Sequence, residues 1–452
     1  MGKKRLLRAL IFIIVLVMAI AAVDSVFGID DSNAYNSRRA FLKEKKGSMD
    51  AVIIGASNVI AYWQPLFGWA DHGIAVWSYS VSDLTCAALK YMIIESRKTQ
   101  PDALYILNLS NFKGSKVSLD AQRIHRAVDY MPMSMNRINL TRDLVARAGF
   151  GLMESVEFYM PVVRFHSRWD ELDSWAFGAS EDGKMSRHAT DFCEKVQNVD
   201  GRFKLTDIRK PMTGDVGQVF TELLDYCDRE GVRLLFVKSP QVVNATQQGH
   251  MNELEAILAE RGYPCLDLLE DMESTGIDPR TDFYNSKHTN IHGSLKFCKA
   301  LGDYLVENYH FQDKRGQAGW ESWDAAAVKY DEFCSKYSME FERKHSPRFS
   351  CDIPAVSLLG VDKEGIALEW QAIDEADGYL VYQRIDDGDD ETGWECVAEL
   401  DAGTTEYLAV GLKSMKRYRF TVVPVRRDRK GNVEYGSFDP TGLSARAKGT
   451  EA

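Results

Sequence analysis

A chain of 452 residues is longer than one ordinary hydrophobic core accommodates, so two or more domains are expected. Its 45% hydrophobic and 27% charged residues exclude a disordered chain. With 55 Lys and Arg against 66 Asp and Glu, the net charge of −11 excludes the broad basic face of a nucleic-acid binder.

The first predicted element lies in residues 1–28. Lys3, Lys4, Arg5 and Arg8 precede a charge-free run from Ala9 to Val23, an arrangement that keeps the N-terminus cytoplasmic and sends the remainder across the membrane. The run is shorter than the roughly 20 residues of a comfortable span, but flanking residues can snorkel. A retained single-pass anchor, with extracellular C-terminal domains, is the preferred reading. Cleavage of a signal peptide near the small residues Ala19, Ala21 and Ala22, giving a secreted protein, is the alternative. Both export the bulk of the chain. The eight cysteines contain no C-x-x-C pair, which argues against a zinc knuckle or a dithiol redox site.

Residues 29–49, with Arg38, Arg39, Lys43, Glu44, Lys45 and Lys46, read as a polar stalk. An α/β domain follows over 50–312. The apolar strand Asp50–Ile54 ends in Gly55-Ala56-Ser57, and a second strand covers Ile74–Tyr79. Helical spacing over Leu84–Thr99 precedes the continuous apolar strand Ala103–Leu109. Buried runs alternating with helices point to a parallel sheet covered on both faces. The irregular stretch 115–215 reads as an insertion, with helices near 120–130 and 139–150. Alternation resumes with helix Val216–Glu230, strand Val232–Val237, helix Asn252–Arg261, strand Pro264–Leu269 and helix Ser294–Asn308.

Residues 313–352 carry Trp320, Trp323, Ala327 and Tyr330 at helical spacing and read as a bridging helix. Over 353–448 the pattern becomes short alternating strands, Gly365–Trp370, Gly378–Arg384, Trp394–Leu400, Glu406–Val410, Arg417–Val425 and Val433–Phe438. This spacing predicts an all-β sandwich. With Trp370 as an inter-sheet tryptophan, and Tyr418 six residues after Leu412, the region resembles a fibronectin type III domain.

Two features carry chemistry. Ser57 closes the first strand at the carboxyl edge of the sheet, where open α/β folds place their sites. Far along the chain, Asp282-Phe283-Tyr284-Asn285-Ser286-Lys287-His288-Thr289-Asn290 precedes the last helix. A serine hydroxyl is a poor nucleophile until an imidazole takes its proton, so Ser57 and His288 are the candidate nucleophile and base. The bland alternative makes His288 a helix-capping residue.

These residues, with the stretches Val52–Ser57, Val76–Leu84, Pro101–Phe112, Arg123–Leu140, Tyr159–Trp169, Leu234–Pro240 and Asp282–Phe297, resemble the SGNH (GDSL-like) hydrolase superfamily. The resemblance covers about residues 48–310 and is nearest the membrane-anchored bacterial branch related to teichoic-acid D-alanylation and polysaccharide O-acetylation proteins. It implies a flavodoxin-like parallel sheet and an acyl-serine mechanism. Ser57 would be the nucleophile, His288 the base, and the Ser57 amide, the Ser80 amide and an asparagine side chain the oxyanion donors. Asn108 and Asn111 both fit that last place, with Asn111 preferred because it lies past the strand end. The superfamily's acid falls on Asn285, an amide that orients an imidazole but gives its cation no charge. Asp282 is the nearest carboxylate. His166 and Arg168 are candidate contacts to a glycan or phosphate, or else members of a salt-bridged lid.

The resulting expectation is an exported serine esterase or O-acyltransferase acting on an acylated cell-surface glycan or polymer, with no metal or organic cofactor implied. A catalytically silent glycan-binding scaffold, or an accessory subunit of a membrane acyltransferase, is the competing expectation. Asn285 is what favours it.

Overall fold

The computed structural model describes residues 3–27, 32–160, 162–165, 167, 169, 195–345, 349, 351–387, 390–391, 394–429, 431, 433–439 and 441–448. The chain divides into two compact units, Met1–Asp331 and Glu332–Ala452.

The charge-free N-terminal run forms the helix Lys3–Phe27. Its stretch Lys4–Val23 is long and apolar enough to cross a membrane, a test that a signal sequence also passes. The next helix, Ser32–Phe41, departs from the stalk expected over 29–49. Phe41 is wholly buried, with ring centroids 5.6 Å from Trp77 and 4.8 Å from Tyr79. Arg38, one helical turn earlier, is also buried. Its guanidinium lies 5.2 and 5.4 Å from the ring centroids of Tyr79 and Tyr130 and donates to Sδ of Met92. Those aromatic faces offset part of the cost of removing the cation from water. The charged surroundings of Arg38 and Phe41 hide the pair in sequence, but their i, i+3 spacing sets them on one face.

The α/β unit is organised by five strands, β1 (Ala51–Ile54), β2 (Val76–Ser78), β3 (Leu104–Asn108), β4 (Leu234–Lys238) and β5 (Cys265–Asp267). They pair in parallel in the order β2-β1-β3-β4-β5, with Ile53 opposite Ile106 and Leu107 opposite Phe236. β1 to β4 are buried throughout, which explains their unbroken apolar runs. One face, bearing Ile53, Ile106 and Val237, packs on Phe297, Cys298, Leu301 and Leu305 of the helix Ile291–Tyr309. On the other, Phe220 of the helix Asp215–Glu230 sits between Phe236 and Phe112, with ring centroids 5.7 and 4.9 Å away. The chain leaves β1 for one edge and β3 for the other, so the order reverses between these neighbours. Doubly wound sheets open a crevice at the carboxyl ends of such a pair.

The helix Ala245–Glu260 begins seven residues before its sequence-based start, because Asn244 and Gln247 form a reciprocal capping box. Two short strands, β6 (Phe283–Asn285) and β7 (His288–Thr289), make a hairpin just before the last sheet-covering helix. The bridging helix is present as Glu321–His345. Trp320, just before it, stacks on Trp69 at 5.2 Å, and Trp323 packs against Trp69 and Trp77. Both tryptophans are therefore packing groups.

The second unit is all-β after its helical start. β8 (Ser357–Val361), β9 (Gly365–Glu369), β10 (Gly378–Asp387), β11 (Asp390–Glu391), β12 (Glu395–Asp401), β13 (Glu406–Val410), β14 (Arg417–Arg427), β15 (Val433–Tyr435) and β16 (Leu443–Arg446) form two antiparallel sheets. One has the order β13-β9-β8. In the other, β10 and β14 are central, with β11 and β12 on β10 and β15 and β16 on β14. Inward residues from both sheets share one core, where Trp370 meets Tyr379 edge-on at 5.5 Å. Tyr418 accepts a hydrogen bond from the Lys413 amide, 2.8 Å away, fixing the corner that leads into β14.

Candidate active site

The turn after β1 is built for close approach. A methyl group on Gly55 would run into Val59 and come 3.1 Å from Nδ2 of Asn111, so only glycine leaves the two turns in contact. Ser57 then opens the helix Ser57–Tyr62. Its amide belongs to the first turn, whose N–H groups have no partner within a helix. Asn58 donates to Oγ of Ser110, 2.9 Å away, tying this turn to the one after β3.

The hairpin β6–β7 delivers His288 to the same place. Oγ of Ser57 is 3.0 Å from Nε2 of His288, across 231 positions of sequence. On the far side of the ring, Nδ1 lies 3.0 Å from Oδ1 of Asn285. That same oxygen accepts the backbone amides of Lys287 at 2.8 Å and His288 at 3.0 Å. Two backbone donors fix the amide with its oxygen inward. An oxygen of this kind can only accept, so Nδ1 carries the proton and Nε2 offers its lone pair to the serine hydroxyl. The ring also stacks on Tyr284 at 5.2 Å and an interplanar angle of 7°. The buried Tyr62 hydroxyl donates to the carbonyl of Pro240 and lies 3.4 Å from that of Lys287, beside the hairpin tip.

Burial pushes the His288 imidazole down to about 4, and the cations of Lys287 and Lys113 reinforce the shift, with Asp83 opposing it. The ring is therefore neutral at physiological pH and ready to take a proton. Once protonated, it has the dipole of Asn285 beside Nδ1 instead of a carboxylate. Asp282 does not supply the missing charge. It is buried, with Oδ2 accepting from the Asp278 amide at 2.8 Å and from Nζ of Lys296 at 2.6 Å.

The two asparagines considered as oxyanion donors are in different situations. Asn108 is engaged at both ends, donating to Oγ of Ser239 at 2.5 Å and accepting from the Ser110 amide at 3.0 Å. Asn111 presents a buried Nδ2 with no partner among the described residues, set against Gly55. Ser80 behaves otherwise. The amides of Tyr79 and Val81 donate to Ile53 and Gly55, and successive amides of an extended chain alternate, so the Ser80 amide faces away from β1. The structure thus brings together Ser57, His288, Asn285 and Asn111, and Ser80 follows β2, the strand paired with β1. His166 and Arg168 lie outside the described residues. Lys238 turns from the crevice to Glu255 and Asp267, at 2.5 and 2.6 Å.

Asp83, Lys113 and Gln241 escaped sequence reasoning. Asp83 has a left-handed backbone (φ 55°) and pairs with Arg126 at 3.4 Å. Lys113, just past Asn111, donates to Oε1 of the buried Gln241 at 2.6 Å. The Asn111-x-Lys113 spacing was the available signal for Lys113. No group of His, Cys, Asp and Glu among the described residues could hold a metal ion. Cys86, Cys227, Cys265 and Cys351 are free thiols, and Cys193 lies outside the described residues. As it stands, the arrangement can transfer a serine proton to a neutral imidazole beside a partnerless amide donor.

No family model matches the chain, and no curated protein matches it. Its similarities to solved structures include the fn3 domain of the human collagen alpha-1(XX) chain, at 22% identity and a TM-score of 0.19, over 24% of this chain and 95% of that one. The FN3 domain (residues P368–P466) of human collagen XX is 19% identical with a TM-score of 0.17, over 23% of this chain and 98% of that one. The FN5 domain of Drosophila Lar is 16% identical with a TM-score of 0.17, over 22% and 100%. These likenesses concern the C-terminal all-β region.

Proposed function

We propose that the chain is an extracytoplasmic serine esterase or O-acyltransferase of the SGNH kind, acting on acylated cell-surface glycans or polymers. The observation that carries this reading is the Ser57–His288–Asn285 relay, with spacings of 3.0 and 3.0 Å. Its position in the switch-point crevice of a β2-β1-β3-β4-β5 sheet, a flavodoxin-like order, supports it further. Oγ of Ser57 attacks the acyl carbonyl as its proton passes to Nε2 of His288. The oxyanion that forms receives Nδ2 of Asn111 and the Ser57 amide. Collapse expels the alcohol, which takes the proton from His288 and leaves an acyl-serine. Water, or a sugar hydroxyl in a transferase, then attacks that ester with His288 as base.

The N-terminal helix would hold the enzyme at the membrane as a single pass with a cytoplasmic N-terminus, unless it is cleaved as a signal. The fibronectin-like unit would serve as a spacer or docking module. Asn285 supports a second reading, a catalytically silent glycan-binding scaffold or an accessory subunit of a membrane acyltransferase. A fluorophosphonate probe separates the two. Covalent labelling of the full chain that is lost in Ser57→Ala and His288→Ala is the result expected of the enzyme. A folded wild type that takes no label favours the scaffold.

A further inference from the structure

The rim of the crevice carries a charge arrangement that ester cleavage alone does not require. Lys113 is half-buried, and its ammonium donates to a neutral acceptor, Oε1 of Gln241, at 2.6 Å. The cation of Lys287 acts on it as well as burial, and the two lysines add to burial in depressing the imidazole of His288. Gln241 is 1% exposed, yet its Nε2 has no acceptor among the described residues. That nitrogen shares an amide group with the oxygen touching Lys113, so it lies beside the ammonium. Asp83, an acidic side chain acting on His288, is paired with Arg126. A partly desolvated ammonium without a carboxylate, next to a buried N–H without an acceptor, is costly unless a ligand completes it.

We infer that Lys113, Gln241 and Lys287 form an anion subsite beside Ser57, which selects substrates bearing a carboxylate or phosphate close to the acylated hydroxyl. The anion would accept from Nζ of Lys113 and Nε2 of Gln241, with Lys287 contributing at the mouth. The Lys113 ammonium already donates to Oε1 of the Gln241 amide, so little ordering is left for the ligand to impose. Burial and Lys287 hold Lys113 down at about 8, so the subsite is charged at neutral pH and is lost in mild alkali. This inference rests on the proposed reading of the crevice as an acyl-ester site.

The test uses the full chain in detergent with Ser57→Ala, so that binding is read without turnover. Calorimetric titrations compare glycerol 3-phosphate with glycerol, and methyl glucuronide with methyl glucoside. At least one anion is expected to bind about tenfold or more tightly than its neutral twin. Phosphate preference alone identifies a phosphodiester polymer, and uronide preference alone an acidic polysaccharide. Adding Lys113→Gln should erase the preference. Lys113→Arg should keep it and carry it above pH 8, and Gln241→Leu should weaken it. Equal binding of charged and neutral twins, no saturable binding of either anion, or a preference that survives Lys113→Gln overturns the subsite. Fluorophosphonate labelling of the wild type reports separately on the nucleophile. Anion preference without labelling removes the esterase and leaves the subsite, and labelling without preference does the reverse.

Discussion

Two regions of the α/β unit each set a side-chain oxygen against Nδ1 of a histidine, and they make a controlled comparison. In the β6–β7 hairpin, His288 has the amide oxygen of Asn285 at 3.0 Å and Ser57 at 3.0 Å on its other nitrogen. In the helical insertion, His125 has a true carboxylate, Asp129, at 2.8 Å. Its other nitrogen is 3.5 Å from Oε1 of Glu157, and the rings of Phe158 and Phe165 enclose it. Arg137 approaches Asp129 to 4.0 Å, and burial still pushes the Asp129 carboxyl up despite its hydrogen bond with His125 and the pull of Arg137 and Arg164. By composition His125–Asp129 is the better catalytic pair, but it is sealed in a core and faces a second acid. His288 has the weaker orienter and the better position. Access and a hydroxyl at the second nitrogen separate a reactive imidazole from a structural one.

The largest effect that could break this comparison is at the nucleophile. Ser57→Ala should lower ester turnover on the order of 10⁴-fold or more, measured as kcat/KM on an aryl ester. A variant with wild-type turnover would remove His288 from catalysis. Asn111→Ala should cost on the order of 10²-fold in kcat with little change in KM, since its donor acts on the developing oxyanion. Asn285→Asp sharpens the comparison by giving His288 the carboxylate that His125 has. Turnover should rise about tenfold or more, as the imidazolium gains a charged partner. The wild-type pH profile should hold through pH 5 and fall as the pH drops through about 4, where His288 becomes protonated and can no longer accept from Ser57. In Asn285→Asp that acid limb should move to higher pH. The smallest effect on chemistry is expected at His125. His125→Leu leaves the Asp129 carboxylate without its hydrogen-bonded partner and should cost roughly 3–5 kcal/mol of stability in denaturant titrations. The fraction that remains folded should take the fluorophosphonate label at the wild-type rate.

How much of this was legible in the sequence depends on the range of the interaction. The strands β1, β3 and β4 are readable because parallel strands buried on both faces need unbroken apolar runs. Ser57 and His288 are readable because one ends the first such run and the other precedes the last helix. The choice of Asn111 over Asn108 also agrees with which amide is left without a partner. What escaped depends on backbone direction or on shape. Asp83 takes a left-handed conformation where a glycine would have advertised it. The hairpin β6–β7 is too short for a period to show, and β8 and β16 were hidden by mixed exposure. Arg38 and Phe41 were masked by the charges around them, since a buried guanidinium looks in sequence like a solvated one.

The docking of Arg38 and Phe41 sets a leash length. From Phe27 to Ser32 the chain has five peptide steps, which reach at most about 17 Å when fully drawn out. With the first helix retained in a bilayer, the α/β body would stay in a shallow layer above the headgroups. On the proposed acyl-ester reading, a polymer would then have to be met where it emerges or is anchored, and lengthening the leash should widen the zone of modification.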